Sequence, residues 1–405
     1  MRKDRVAIVA GVRTPFVRAR GVFRHLPAST LGGAVLQETV TRSGIDPSLI
    51  EDITLGIVCA PAEGTHVARE ALFDSVLPRS IPCTTVNRYC ASSSEAIACV
   101  TAKILSGAID TGLAAGVESL SSVRALFSHE ATDFFQSMQS AKTFKTRLNA
   151  FKHLKSSHFI PEAPGIKEPT TGLTMGQSAD LMARLFQISR NDQDAYARDS
   201  HKKAFAAWES KLYNVMPLMG AQGGLIERDT DVRQDTEKLA SLRPVFYPDG
   251  TVTAGNASPL TDGASSVLLM RASKAQELGL PILGTIRSIA SSAIDISKEP
   301  LLIAPIYAVP KALKQAGVTL ADIDAIEMHE AFAAQVLATV KTLAIDMNKM
   351  NLWGGSVALG HPFGATGVRL LLQLLAILKH TQKNLGLISI CAAGGLGMSM
   401  VVEAH

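Results

Sequence analysis

Residues 86–94 read V-N-R-Y-C-A-S-S-S, which sets Cys90 between a bulky turn and a run of small residues. Behind it, Ile97, Val100, Ile104 and Leu105 mark one apolar face of a helix expected to begin near Ser92 or Ser93. Cys90 then lies beside the N-terminal end of that helix, where unpaired N–H groups and the helix dipole favour a thiolate. The competing role for a lone cysteine is that of a small buried hydrophobe, and this stretch alone leaves both open.

Three further segments carry reactive side chains. In "GGSVALGHPFGATGVR" (354–369), His361 stands between glycines, with Pro362 fixing the backbone and Gly364 and Gly367 opening a helix. There is no G-K-[ST], so this is not a Walker phosphate loop. A histidine on a rigid turn suits a base near neutral pH, although taken alone a structural histidine is the plainer reading. "MHEAFAAQ" (328–335) starts like a zinc-protease motif but has Ala333 where the second histidine belongs, which argues against metal at His329-Glu330. In "SICAAGGLGMSM" (389–400), Cys391 ends an apolar strand and meets a glycine-rich turn whose backbone can approach a ligand closely. Two cysteines and two histidines, each at a strand end or helix start, are far more specific together than singly.

The elements that must position them alternate short apolar strands with amphipathic helices. Strands are expected at 5–10, 53–58, 112–116, 325–329 and 386–391, and helices at 29–43, 93–106, 307–316 and 364–378. Such alternation predicts an α/β fold with a parallel sheet covered on both faces. "SLIEDITLGIV" (48–58) and "TLADIDAIEMH" (319–329) share a helix-end, acidic-turn, strand pattern, each followed by a Gly/Ser-rich segment opening a helix. Duplication of one α/β unit would produce this, as would chance likeness between generic βα units.

Composition sets the limits. The chain has 405 residues, 47% apolar and 19% charged, with 31 glycines and a net charge of +4. That length supports two or three compact units, and so mild a positive excess suits small anionic ligands rather than nucleic acid. Five cysteines without a C-x-x-C pair fit neither a disulfide framework nor a structural zinc site, so no metal is expected. The longest apolar run near the C-terminal end, 370–378, is about half a membrane span, and strand-like residues begin almost at the first methionine. A cytoplasmic location in a reducing compartment is the resulting expectation.

Residues 121–252 break the rhythm. "AKTFKTRLNAFKHLKSSH" (141–158) holds five Lys/Arg and no acid, with Phe144, Leu148, Phe151 and Leu154 at helical spacing. A solvated helix packed on the body is the plain reading. The sharper one is a surface for a membrane, a partner subunit or a polyanionic ligand.

"NRYCASS", "HEAF", "GHPFGATG" and "CAAGGLG", in that order, resemble the thiolase family, as do "RTPF" (13–16), "GVESLS" (116–121), "TMGQSAD" (174–180) and "GTVTAGNASPLTDGAS" (250–265). The likeness spans nearly the whole chain. Within the family it is most similar to the 3-ketoacyl-CoA thiolases that form the β-subunit of trifunctional-type fatty-acid β-oxidation complexes. His329 in place of the more usual Asn, Phe363 in "GHPFGATG", and "SHFIPEAPGI" after the basic insertion point there.

The resemblance implies a thiolase fold: two duplicated halves in a five-layer αβαβα body with an inserted loop domain. The N-terminal half would be 1–120, completed by about 251–274; the loop domain 121–250; the C-terminal half 275–405. It implies CoA-dependent cleavage of 3-ketoacyl-CoA to acetyl-CoA and a shortened acyl-CoA, with coenzyme A as substrate and no cofactor. Carried over residue by residue, Cys90 is the acylated nucleophile, His361 its base, and Cys391 the acid that protonates the enolate and then deprotonates CoA. His329 joins His361 at the thioester oxygen, and the backbone N–H groups of Cys90 and Ala393 form the tetrahedral oxyanion hole. For CoA, Ser258 matches a pantetheine contact, Met175 and Phe332 the tunnel walls, and Arg233 a residue facing the adenine end. The implied partners are acyl-CoA and CoA, a second copy of the chain and a hydratase/dehydrogenase α-subunit; the basic stretch 141–158 is left open between the CoA phosphates, peripheral contact at the inner membrane face and that partner subunit.

Three other activities would use some of the same residues. A decarboxylating ketoacyl synthase pairs its cysteine with two histidines and needs no second thiol, so Cys391 argues against it. A non-catalytic acyl-CoA-binding scaffold would be expected to have lost Cys90, His361 or Cys391. A biosynthetic acetyl-CoA C-acetyltransferase differs only in direction and chain length, and His329 and the insertion favour the degradative branch.

Overall fold

The computed structural model describes residues 5–62, 64–124, 126–151, 154–160 and 167–405. In chain order the first elements are β1 (Val6–Arg13), β2 (Val17–Arg18), α1 (Ala28–Ser43), β3 (Asp52–Gly56), α2 (Val67–Phe73), β4 (Cys83–Val86), α3 (Ser92–Ser106) and β5 (Thr111–Glu118). Next come α4 (His129–Ser140), α5 (Phe144–Ala150), α6 (Met175–Leu185), α7 (Arg190–Glu209), β6 (Leu218–Met219), β7 (Leu225–Ile226), β8 (Thr261–Arg271) and α8 (Ala272–Glu277). The remainder are β9 (Gly284–Ala293), α9 (Pro305–Ala316), β10 (Ala325–Met328), α10 (Ala333–Leu343), α11 (Ser356–Leu359), α12 (Thr366–Thr381), β11 (Leu385–Ala392) and β12 (Leu396–Ala404). Every strand and helix expected from periodicity is present, with ends moved by a few residues.

Strand direction departs from the expectation. The sheet is mixed, in the order β10-β11-β12-β9-β1-β8-β5-β3-β4. Only β3–β4, β3–β5 and β10–β11 run parallel, while the middle, from β5 through β8, β1, β9 and β12 to β11, is antiparallel. The reason is local in one case: β11 and β12 are joined by the tight turn Ala393-Gly394-Gly395, too short for a parallel crossover.

The duplication is visible in the pairing. On one side β3 pairs parallel with β5, which pairs antiparallel with β8 and then β1; on the other β10, β11, β12 and β9 repeat the same pattern. Even β4 has a trace of a counterpart in the parallel bridge between Ile326 and Met350.

Apolar burial sets the layers. One core packs α1 and α2 residues such as Leu31, Leu36 and Leu72 on Ile53, Leu55 and Leu113. A central core joins α3 (Ile97, Val100, Ile104) and α12 (Leu370, Leu371, Leu374) to residues of both half-sheets. A third packs α9 and α10 on β10, β11 and β12. The result is five alternating layers with α3 and α12 in the middle. Leu105, expected on the buried face of α3, is instead exposed near the helix end.

Contacts divide the chain into two compact units, Val123–Ile166 and the remainder. Within the smaller unit, α4 is capped by Ser128, whose hydroxyl accepts from the Ala131 N–H, and Phe134 packs edge-on against Phe135, Phe151 and Phe159. A Thr143–Thr146 capping box starts α5. The basic stretch is thus α-helical only over Phe144–Ala150, with a 3-10 turn at Ser156–Phe159, and Phe144, Leu148 and Phe151 are exposed. Residues 152–153, inside the expected stripe, lie outside the described residues.

Candidate active site

Cys90 sits on a turn rather than in the helix that follows it. Tyr89 adopts φ 47°, a left-handed conformation that costs a residue with a Cβ about 1–3 kcal/mol. Local hydrogen bonds hold it there: the Tyr89 N–H donates to Asn87 Oδ1, and the Ser92 hydroxyl donates to the Tyr89 carbonyl while accepting from the Arg88 N–H. The turn aims the sulfur away from α3 toward the Ala393 turn. The backbone N–H groups of Ala393 and of Cys90 itself both favour the charged form of that sulfur.

The expectation that the helix end lowers this thiol's pKa is overturned. Burial of the sulfur pushes it up to about 12, although the residue keeps some exposed surface; the Ala393 N–H pulls down against that without prevailing. Burial likewise holds Cys391, on β11, well above the usual thiol range, and the nearby Cys90 adds to the effect.

His361 is buried and anchored at both ends. Its N–H donates to the Pro259 carbonyl, and its ring Nδ1 lies 2.6 Å from Thr366 Oγ1. Because the Thr366 hydroxyl donates its single proton to the Pro362 carbonyl (3.0 Å), it accepts from His361. The hydrogen-bond pattern therefore assigns the proton to Nδ1 and leaves a lone pair on Nε2. Burial, reinforced by Arg369, pushes this imidazole down to about 3, not the near-neutral base expected.

His329 continues the line of β10, donating its N–H to the Ser389 carbonyl. Its Nδ1 lies 3.0 Å from Ser356 Oγ, which accepts from Arg369 Nη2 at 2.7 Å. The Ser356 hydroxyl still has its own proton to give, and donating it to Nδ1 puts the His329 proton on Nε2, the tautomer in which this ring can donate into the pocket. Arg369, fully buried, pairs with Glu327 at 3.2 Å, and Gln373 donates to the same carboxylate. The two imidazoles lie with ring centroids 4.0 Å apart. Both Nε2 atoms are without a hydrogen-bond partner among the described residues. Cys90, His329 and His361 each offer a ligand atom within 4.8 Å of the others. One nitrogen can take a proton, the other can give one, and a sulfur lies beside both.

Two carboxylates that sequence reasoning did not single out fix the frame. Glu118, at the end of β5, accepts from the N–H groups of Val58, Cys59 and Gly364, tying the His361 loop to the other half. Burial raises it to about 7. Glu330 accepts from Tyr196, Ser200, Asn351 and the Val357 N–H, holding the segment that carries Ser356. Their position inside quoted motifs was the available signal; their partners, far away in sequence, were not.

Residues 6–273 match the family description "Thiolase, N-terminal domain", and residues 280–404 match "Thiolase, C-terminal domain". The chain belongs to the thiolase family. Among curated thiolases, the 3-ketoacyl-CoA thiolase of Aeromonas salmonicida (strain A449) is 42% identical, covering 99% of this chain and 97% of its own. That of Yersinia enterocolitica serotype O:8 is 41% identical with the same coverage. A crystal structure of the Bacillus anthracis acetyl-CoA acetyltransferase superposes with a TM-score of 0.91 at 31% identity, covering 100% of this chain and 99% of that one.

The remaining sequence-derived positions of this thiolase fall into two places. Met175 and Phe332 pack in the same apolar cluster as Cys391, with Phe246 and Leu302. Ser258 adjoins them, its N–H donating to the Ala331 carbonyl. Arg233 instead lines a separate cavity of about 440 Å³ with Arg198, Lys202 and Phe205.

Proposed function

We propose that the chain cleaves 3-ketoacyl-CoA with free CoA, giving acetyl-CoA and an acyl-CoA two carbons shorter, in fatty-acid β-oxidation. The observation carrying this reading is the meeting of Cys90 with two buried, unpartnered imidazole nitrogens. The names of the full-length relatives support the substrate class.

Cys90 Sγ attacks the 3-keto carbon as its proton passes to His361 Nε2. A thiol held near 12 beside an imidazole held near 3 does not form a resting ion pair, so transfer accompanies carbon–sulfur bond formation. The oxyanion takes up the two N–H groups, of Cys90 and Ala393, that face the sulfur at rest. Cleavage of the C2–C3 bond then leaves an acyl thioester on Cys90 and an acetyl-CoA enolate. The enolate oxygen is held by the His329 Nε2–H and by protonated His361, and Cys391 gives its proton to carbon. The Cys391 thiolate next takes the proton of incoming CoA, whose sulfur attacks the thioester. Cys90 leaves and recovers its proton from His361, so every group returns to its starting state.

In this reading the Met175–Phe332 wall and Ser258 line the pantetheine path. Arg233, with Arg198 and Lys202, offers a basic cavity to the phosphate-bearing end of CoA. CoA is substrate, and no resident cofactor takes part. The duplicated halves are 1–120 with 251–274, and 275–405, around a loop domain at 121–250. A cytoplasmic homodimer, associated with a hydratase/dehydrogenase subunit and touching the membrane periphery through the exposed apolar residues of α5, completes the proposal. Among the described residues no helix is long and apolar enough to cross a membrane. Acetoacetyl-CoA synthesis is the second reading, favoured by the name of the Bacillus anthracis neighbour.

Mass-resolved product analysis tests both. With a C4–C16 series of 3-ketoacyl-CoA and CoA, the wild type should yield acetyl-CoA plus the shortened acyl-CoA, and Cys90→Ala neither. Turnover confined to acetoacetyl-CoA would favour the synthetic reading, and no turnover at any length would reject both.

A further inference from the structure

The same three side chains have a second chemistry, independent of acyl transfer. The thiol of Cys90 and one nitrogen from each of His329 and His361 lie within 4.8 Å of one another. Each ring has its Nδ1 engaged, with Ser356 and Thr366, so the atom each offers is Nε2; at His329 ligation moves the ring proton from Nε2 to Nδ1, where the Ser356 hydroxyl oxygen accepts it. Both Nε2 atoms are deeply buried and have no partner among the described residues. One sulfur and two imidazole nitrogens are the donor set that tetrahedral Zn²⁺ prefers, with a fourth position left open. Hydroxyl groups already fix both ring orientations, which in zinc sites is the task of neighbouring hydrogen-bond partners.

We propose that the pocket is a capture site for Zn²⁺, held by Cys90 Sγ, His329 Nε2 and His361 Nε2, and that this binding reversibly silences Cys90. The exchange is Cys90–SH + Zn²⁺ → Cys90–S–Zn⁺ + H⁺, with the proton released to solvent. The spread of the three atoms requires a closure of about 1 Å to reach tetrahedral ligand spacing with Zn–S near 2.3 Å and Zn–N near 2.0–2.1 Å. Side-chain rotation of the half-buried Cys90, with a small shift of the imidazoles, supplies that. This site is unrelated to the H-E-x-x-H pattern that fails at Ala333: it draws on Cys90 and His361, remote in the chain, and leaves Glu330 aside.

Chelator-stripped, untagged protein titrated with Co²⁺, and then with Zn²⁺ in competition, tests the proposal without reference to acyl transfer. The wild type should bind one ion per chain, with intense visible bands of a four-coordinate ion and a sulfur-to-cobalt charge-transfer band, both removed by Zn²⁺. One proton should be released per ion in weakly buffered solution. Cys90→Ser should lose the charge-transfer band. So should wild-type protein alkylated at Cys90, a control that needs no substitution. His329→Asn should weaken Zn²⁺ binding by at least about 10-fold. A charge-transfer band that survives alkylation of Cys90, or a weak six-coordinate spectrum at one equivalent, overturns the site. In a separate arm that does rest on the thiolysis reading, stoichiometric Zn²⁺ should abolish turnover and chelation restore it. Failure of that arm with the spectra intact would count against the silencing and leave the thiolysis reading standing.

Discussion

The Thr366 hydroxyl lies 2.6 Å from Nδ1 of His361 and spends its own proton on the Pro362 carbonyl, so the histidine is locked with its lone pair on Nε2. Removing that acceptor should free the ring to adopt the wrong tautomer. Thr366→Val, close in volume, is expected to lower kcat roughly 100-fold with little change in KM, the scale of one misdirected acid–base step. Thr366→Ser should recover most of it. A loss of stability in both variants alike, with activity following protein content, would mean that the hydroxyl only holds the fold.

Ser356 plays the corresponding part for His329. Ser356→Ala leaves both the His329 Nδ1 and the Arg369 guanidinium short of a partner, and a buried unsatisfied group costs about 1–3 kcal/mol. The donor to the enolate oxygen is the function at stake. Exchange of the acetyl-CoA C2 protons with deuterated solvent should therefore slow by at least about 10-fold, the lower range for one donor, while acylation of Cys90 proceeds. Equal slowing of both half-reactions would contradict the assignment.

A pH effect on stability follows from His361. Its folded pKa, about 3, lies below the ordinary 6.5, so the unfolded chain takes up a proton that the folded one refuses. Stability from this group is present above pH 6.5 and is lost as pH falls through the window from 6.5 to 3, at about 1.4 kcal/mol per unit. His361→Asn lacks that term. Urea unfolding at pH 7.5 and pH 5 should show the wild type losing about 2 kcal/mol more than the variant between the two. An equal loss in both proteins would show that His361 titrates normally.

The elevated Cys90 thiol makes its own forecast. Alkylation by iodoacetamide should accelerate about tenfold per pH unit from 7 to 9 without levelling, because thiolate remains a minor species throughout. A rate plateau reached below pH 8 would instead reveal a resting thiolate–imidazolium pair.

Gly355 tests the frame rather than the chemistry. A Cβ there would overlap the Glu330 carboxylate, which four donors hold in place. Gly355→Ala should cost about 1–3 kcal/mol, the usual range for overpacking. A thermal midpoint unchanged from the wild type would show that this segment yields easily.

Much of the fold was legible because apolar periodicity survives in almost every element, and the four reactive residues stood out because each follows a strand or opens a helix. Strand direction was not legible: an apolar run such as Leu385–Ala392 looks the same whichever way its neighbour points. The orienting groups were hidden for a related reason. Arg369, Glu327 and Ser356 matter through contacts made only after α12 packs against β10. Ionisation was misjudged at Cys90 and His361 because a helix end and a rigid turn are local features, whereas burial comes from both halves of the molecule.

Two thiols sharing one pocket with divided tasks are the centre of the proposed reaction, and acyl mapping in a Cys391→Ala variant tests that directly. Incubated with an acyl-CoA, this variant and the wild type should both carry one acyl mass on the peptide containing Cys90, and only the wild type should release it to CoA as a product of complete turnover. An acyl group found on Cys391 of the wild type, or full thiolysis by Cys391→Ala, would contradict it.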